Sequence, residues 1–172
     1  MFAQVINGII IQLIQAGVQW EYDGVTYPGN WIQLAGPGEL ADLGIVDVVY
    51  GQRPNDTYYW VTQEAPVYNA GTNQVDVNFT ATPKDLANVQ VTAVSTVNTS
   101  AYNTLLPSDW MVVRQVEDGT QIPANWNAWR QSVRIVASNT ANAINDSANV
   151  ANVELTMSTF SFPPSPDQQT GV

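Results

Sequence analysis

The residues that could carry chemistry in this chain are carboxylates, hydroxyls and amides, because its 172 residues include no histidine and no cysteine. That composition removes imidazole bases, thiol nucleophiles, disulfides and metal sites built on soft ligands. Two carboxylate pairs remain, Glu21 with Asp23 on a predicted strand and Glu117 with Asp118 at the end of a predicted helix. Paired carboxylates do acid–base work when their surroundings separate their pKa values. Neither pair has a partner base, so we expect both to lie on a solvated surface.

The other catalytic and cofactor motifs are incomplete. Gly36-Pro37-Gly38 lacks the Lys and Ser/Thr that follow a phosphate-binding loop, and it is interpreted as a turn. Lys84 is the only lysine, it falls in the first turn of a predicted helix, and no serine has a histidine partner. The sequence therefore predicts no enzyme, no catalytic residue, no cofactor and no calcium loop, while a cation at an oligomer axis stays open.

Charge and polarity limit the possible partners. Fifteen acidic residues stand against five basic ones, a formal net charge of -10, whereas a nucleic-acid binder needs a basic face. With 45% hydrophobic residues the chain should fold, and with 12% charged residues its polarity comes largely from 16 Asn and 14 Gln. An amide-rich, ion-poor surface suits a permanent assembly. The apolar segment over residues 5–14 is too short and too interrupted for a signal peptide or a membrane span, so we expect no membrane as partner. The acidic net charge predicts no nucleic acid as partner.

The elements that must position these groups fall into two unlike halves, of which the first, residues 1–82, follows a strand-like period of two. Asn7-Gly8 and Asp23-Gly24 are favoured turn pairs and predict two β-hairpins. A short helical turn over 39–43 is expected to end at Gly44 in a left-handed C-cap. Strands are predicted over 45–50, 58–62 and 75–79. This half is predicted to be an antiparallel β-rich domain.

Residues 83–151 have a helical period. Thr82 as N-cap and Pro83 at the first helical position predict a long helix that ends at Pro107. Its apolar residues recur at three or four, as a buried helix face requires: Leu86, Val89, Ala93, Val97, Ala101 and Leu105. A short helix is predicted over 110–117, a third helix from Pro123 towards Asn149, and a strand over 153–157. The predicted fold class is thus α+β: a β-rich domain, two or three helices in a helical hairpin or coiled-coil-like contact, and an extended Pro-rich arm over 152–172.

An apolar stripe of mostly small residues follows the third predicted helix at spacings of three and four. Such residues allow close helix contact but bury little area, which favours association with another chain, self-association included; the alternative is packing within the same chain. The candidate interface residues are Trp126, Trp129, Ala137, Ala141, Ile144 and Ala148, with Phe160 and Phe162 on the arm.

Three further features of the helical half carry predictions, two of which leave alternatives open. The arm with Phe160 and Phe162 either docks in a neighbour's groove or folds back on its own domain. Trp110 is expected to join Trp126 and Trp129 in a hydrophobic clamp between the C-terminal helices. Arg130 and Arg134 either meet acidic residues across an interface or lie on a solvated face.

Aromatic residues are dense in the first 60 positions. They either build a small β core or form platforms on which sugar rings stack. The possible ligand-stacking residues are Trp31, Tyr58, Tyr59 and Trp60.

Short words along most of the chain resemble a known group of proteins. In the first half they are Tyr27-Pro28-Gly29-Asn30-Trp31, Leu43-Gly44-Ile45 and Asp56-Thr57-Tyr58-Tyr59-Trp60. In the second half they are Pro83-Lys84-Asp85-Leu86, the stretch from Leu105 to Arg114, Ile122-Pro123, Trp129-Arg130-Gln131 with Arg134, and Phe162-Pro163-Pro164. The series resembles small tail-associated proteins of tailed bacteriophages, notably those of cyanobacteria and marine bacteria, and its second half is similar to phage tail-fibre assembly proteins.

The resemblance implies a non-enzymatic, oligomeric structural protein of the phage virion, associated with the tail fibre or baseplate. Its partners would be other tail or fibre proteins, its place would be the virion tail, and it would be made in the host cytoplasm. The resemblance supplies no catalytic residues. Two alternatives remain open, a tail-fibre assembly chaperone and a host-glycan-binding module.

Overall fold

The computed structural model describes residues 1–169, and the chain divides into two compact units that meet at Thr82 and Pro83. The last three residues of the predicted arm lie outside the described part. The strands are β1 (Phe2–Ile6), β2 (Ile9–Ile14), β3 (Trp20–Tyr22), β4 (Val25–Tyr27), β5 (Ile45–Tyr50), β6 (Tyr59–Gln63), β7 (Val67–Asn69), β8 (Gln74–Val77) and β9 (Phe79–Pro83). The helices are α1 (Trp31–Leu34), α2 (Pro37–Asp42), α3 (Leu86–Leu105), α4 (Asp109–Asp118), α5 (Ala124–Asn145), α6 (Val150–Thr159) and α7 (Pro166–Gln169). All nine described strands lie in or next to the N-terminal unit and the long helices follow them, which confirms the predicted α+β class.

The N-terminal unit is built on a five-stranded sheet with the order β2-β1-β5-β8-β7. Adjacent strands in this sheet are antiparallel, except β5 and β8, which run parallel. The edge strands β2 and β7 contact each other, so the sheet is curled. Its inner face buries the side chains of Ala3, Val5, Val46 and Val75. Two short ribbons, β3-β4 and β6-β9, complete the unit.

Both predicted hairpins are confirmed. Asn7 and Gly8 have φ of 52° and 78°, and Asp23 and Gly24 have φ of 49° and 74°, as a tight turn with two left-handed residues requires. The first hairpin also contains a register shift after Gln4. These turns form because Asn, Asp and Gly tolerate positive φ better than other residues.

Gly44 ends the short helix α2 in the left-handed region, with φ of 63°, as predicted. A Cβ at this position would lie 2.1 Å from the backbone oxygen of Val5. The two backbones are this close because the N–H of Val5 donates to the Gly44 oxygen at 2.7 Å. Only glycine therefore fits where α2 turns into β5.

Several predictions about the N-terminal unit need correction. The unit is not wholly antiparallel, because β5 and β8 run parallel, and Pro37 and Gly38, predicted to lie in a turn, begin α2. The single strand predicted over 75–79 is two strands, β8 and β9, which pair with different partners. The alternation of Val75, Val77 and Phe79 continues through the break, so periodicity alone does not reveal it. The helix α1, four residues long and following a Pro-Gly turn, was not predicted.

The helical unit corrects several predicted boundaries. The N-cap of α3 is Asp85, whose carboxylate accepts the N–H of Asn88 at 3.0 Å, and Thr82 lies in β9. The third helix, α5, ends at Asn145 rather than Asn149. The strand predicted over 153–157 is wrong, because Asn149 caps a new helix, α6, through the N–H of Asn152.

The interior of the helical unit lies where α3 packs against α5 and α6. Buried residues on α3 recur at every fourth position, within the predicted apolar repeat of that helix: Val89, Ala93, Val97 and Ala101. Opposite them α5 buries Val133, Ala137 and Ile144, and α6 buries Val153. No helix in residues 1–169 is both long and apolar enough to cross a bilayer.

Candidate functional site

Of the four carboxylates that could do acid–base work, Asp118 serves as a local hydrogen-bond acceptor. Asp118 ends α4 and accepts the N–H of Thr120 at 2.8 Å. Hydrogen bonds from the side chain and backbone of Thr120 lower the pKa of Asp118, so this carboxyl is ionised at neutral pH. Asp23 occupies a turn. Within residues 1–169, no group of three or more acidic residues is placed to hold a metal ion.

Trp31, a predicted stacking residue, belongs to an aromatic cluster of the N-terminal unit. Its ring meets those of Trp20 and Tyr27 edge to face, with centroids 6.0 Å and 5.0 Å apart. Trp20 and Tyr27 stack on each other at 4.3 Å. Around them pack Ile14, Ile32 and other apolar residues. Trp31 is therefore half-buried and contributes to the core.

The aromatic run Tyr58-Tyr59-Trp60 is exposed to a graded extent. Tyr58 is buried, Tyr59 is half-buried, and Trp60 on β6 is 67% exposed. Of the four predicted stacking residues, Trp60 alone presents most of its side chain to solvent.

The predicted interface residues on α5 are largely buried within the helical unit. Trp129, Ala137 and Ile144 are buried, and Ala141 is half-buried. Trp126 packs edge to face on Trp129 at 5.3 Å. These residues are covered by the chain's own helices, which is the alternative of packing within the same chain. Ala148 is exposed and lies beyond the end of α5.

The start of the predicted extended arm is helical, because α6 continues to Thr159, and the remaining described part of the arm, residues 160–169, lies on the chain's own helices. The indole N–H of Trp129 donates to the backbone oxygen of Pro163 at 3.0 Å. Phe160 and Phe162 pack edge to face at 4.9 Å, and both are half-buried. A shallow groove of about 260 Å³ remains between α5, α6 and the arm, lined by Val136, Asn139, Thr140, Ala143, Thr156, Thr159, Phe160 and Ser161. The described arm thus folds back rather than reaching outward.

Arg130 forms a polar clasp that the sequence did not reveal. Its side chain is buried, and it donates to the Leu105 backbone oxygen at 3.2 Å and to the Ser108 hydroxyl. It also forms an ion pair with Asp109 at 2.8 Å. These three acceptors span the 3₁₀ turn (Leu106–Ser108) between α3 and α4. The ion pair expected across an interface therefore lies within the chain, while Arg134 lies on an exposed face.

The α4 surface, defined as Leu106, Trp110, Val112, Val113 and Val116, is an exposed apolar surface of the helical unit. The exposed fractions are 53% for Trp110, 53% for Val113 and 81% for Val116. Met111 is the only buried residue of α4. Trp110 is therefore not part of the predicted clamp with Trp126 and Trp129. One signal in the sequence was available, since half of the ten residues of α4 are apolar, more than one buried face accommodates.

A second apolar surface, the β2 surface, consists of Ile9, Ile11 and Leu13. These side chains are 65%, 51% and 44% exposed, and they alternate along an edge strand. No charged residue or proline interrupts β2. Exposed edges without such residues are sites at which another chain can pack.

Comparisons with models of known families, with curated proteins and with solved structures give no match to this chain.

Proposed function

We propose that this protein is a non-enzymatic structural component of a bacteriophage tail, associated with the tail fibre or baseplate and acting through protein–protein contacts. The observation that carries the proposal is the presence of an apolar surface on each of the two units, the β2 surface and the α4 surface. Contiguous apolar patches of this kind mark interaction sites. The phage context itself comes from the resemblance of the sequence.

The chemistry of the remaining surface agrees with a permanent assembly. Charged residues are only 12% of the chain, while Asn and Gln supply 30 amides. Amide hydrogen bonds and apolar contacts do not weaken as salt rises, whereas surface ion pairs do. A subunit with these surfaces can keep contacts with other tail or fibre proteins, and with further copies of itself, when a virion leaves the host cytoplasm.

Mass spectrometry of purified virions tests the proposal. We expect the chain to be present in a fixed ratio to known tail proteins. Its absence from particles would overturn the proposal. If the chain were required for soluble tail fibre yet substoichiometric in particles, the assembly-chaperone alternative would replace it.

A matched pair of variants tests whether the β2 surface makes the contact. Ile11 and Val25 are 51% and 52% exposed, and both lie on strands of the N-terminal unit. We expect Ile11→Glu to prevent incorporation into virions, because a charge in an apolar contact is costly. Val25→Glu should be incorporated normally. Equal incorporation of the two variants would show that the β2 surface makes no essential contact.

A further inference from the structure

We propose that the α4 surface binds the α4 surface of a second copy of this chain, with the two helices antiparallel across a two-fold axis near Val113. This inference deepens the proposed function and rests on it, because a structural role through protein–protein contacts requires a contact surface. It goes further in naming the occupant of one surface and the geometry of the contact. The argument uses area, shape and charge.

The area is sufficient for a specific contact. From the exposed fractions of its five side chains, the α4 surface presents about 500 Å² of apolar area to solvent, at the upper end of what monomeric proteins expose. Two copies would bury at most about 1,000 Å² of this surface together, which reaches the lower bound for a specific interface. A two-fold contact needs no other surface, because the same patch serves on both sides.

The shape of the surface favours the antiparallel arrangement. Trp110 and Val116 each lie three residues from Val113, on opposite sides of it. An antiparallel pair centred on Val113 therefore places each Trp110 level with the partner's Val116, a large side chain beside a small one, as good packing requires. A parallel pair would instead place two bulky indoles level with each other. Antiparallel helices also align their dipoles favourably.

The charges on α4 permit approach of a second copy. The Asp109 carboxylate is already paired with Arg130, so it adds no unpaired charge. The Arg114 guanidinium lies over the Trp110 ring, 4.8 Å from its centroid. Glu117 and Asp118 fall at the two ends of the antiparallel pair, where a polar rim is usual. Because each copy carries a net charge of -10, added salt should screen their repulsion and leave the apolar contact intact.

Sedimentation of the purified full chain over a range of micromolar concentrations tests the proposal. We expect a reversible monomer–dimer equilibrium that holds or tightens as sodium chloride is added. Val116→Glu should weaken the dimer by at least about tenfold, as for a truncated or charged interface centre. The control is Val91→Glu on α3, because Val91 is also highly exposed, at 71%, and the substitution is identical. Circular dichroism establishes that both variants are folded.

A single introduced cysteine tests the geometry. Because the chain contains no cysteine, the thiol of Val113→Cys can form a disulfide only with the same thiol of a second copy. The proposed axis passes near this position, so mild oxidation should yield a covalent dimer, whereas Val91→Cys should stay monomeric on a denaturing gel.

Four results would overturn the inference. They are a wild-type chain that stays monomeric, equal association of the two glutamate variants, a trimer, and a dimer that Val113→Cys fails to trap. A monomer would leave the α4 surface to a different protein. None of these results bears on the presence of the chain in virions, which mass spectrometry decides separately.

Discussion

Replacing Arg130 with methionine tests the clasp between α5 and the start of α4. Methionine keeps a long apolar stem and removes the guanidinium that donates to Leu105, Ser108 and Asp109. A hydrogen bond to a charged group contributes about 1.5–3 kcal/mol, and a buried ion pair that loses one partner costs about 3–5 kcal/mol. The Asp109 side chain is 43% exposed, so water replaces part of what it loses. We expect Arg130→Met to lower the free energy of unfolding of the helical unit by about 3 kcal/mol.

Urea unfolding followed by far-ultraviolet circular dichroism measures this loss. The signal reports mainly the helical unit, because its α3 and α5 have 20 and 22 residues while the helices of the N-terminal unit have at most six. With a slope of about 1–1.5 kcal/mol/M for a unit of this size, the midpoint should fall by roughly 2–3 M. The matched control is Arg134→Met, which removes the same charge from an exposed position of the same helix and should change stability by less than about 0.5 kcal/mol.

A double-mutant cycle with Asp109→Asn separates the ion pair from the other two hydrogen bonds, and we expect a coupling energy of about 1 kcal/mol. The reasoning is refuted if Arg130→Met costs no more than Arg134→Met. In that case the buried guanidinium would only offset its own loss of hydration.

Local geometry sets three more expected outcomes. Gly44→Ala should destabilise the N-terminal unit by at least about 3 kcal/mol, because its Cβ would lie 2.1 Å from a backbone oxygen. Gly24→Ala, where a Cβ would meet open space, should cost only about 1 kcal/mol. Tryptophan fluorescence during urea unfolding measures both losses. Trp129→Phe removes the 3.0 Å hydrogen bond to the arm and should cost about 1 kcal/mol and speed amide exchange there. Hydrogen bonds from Asn69 and Gln74 lower the pKa of Asp76, so an NMR titration of Asn69→Ala should show that pKa rise towards its ordinary value.

Each of these outcomes can fail in a specific way. Equal losses for the two glycine variants would show that the turn of α2 tolerates a side chain. Unchanged exchange in Trp129→Phe would show that the arm is held by other contacts. For Asp76, a depressed folded-state pKa stabilises the fold above the unfolded-state pKa, and this contribution is lost as pH falls through the folded-state value. An Asp76→Asn variant should therefore be less sensitive to acid than the wild type, and equal sensitivity would contradict the assignment.

The features that the sequence revealed are those set by neighbouring residues. The turns at Asn7-Gly8 and Asp23-Gly24 follow from the backbone preferences of two residues each, and the C-cap at Gly44 follows from one. The buried stripe of α3 was readable because a twenty-residue helix repeats its spacing often enough. Local chemistry of this kind does not depend on the rest of the fold.

The features that the sequence did not reveal depend on competition or on distant contacts. Thr82 and Asp85 are both good N-caps, and Asp85 prevails because β9 extends its pairing through Pro83. The β-branched segment around Val153 favours a strand locally, but the cap at Asn149 and the burial of Val153 against α3 and α5 make it helical. Whether Trp110 points inward could not be known without the packing of α4.

The clasp at Arg130 also orders events in time. The residues of α4 leave the ribosome before Arg130 does, so the contacts of Arg130 with Leu105, Ser108 and Asp109 form only after the first turns of α5 have been synthesised. A chain truncated before Arg130 would therefore lack every hydrogen bond of the clasp between α5 and the start of α4.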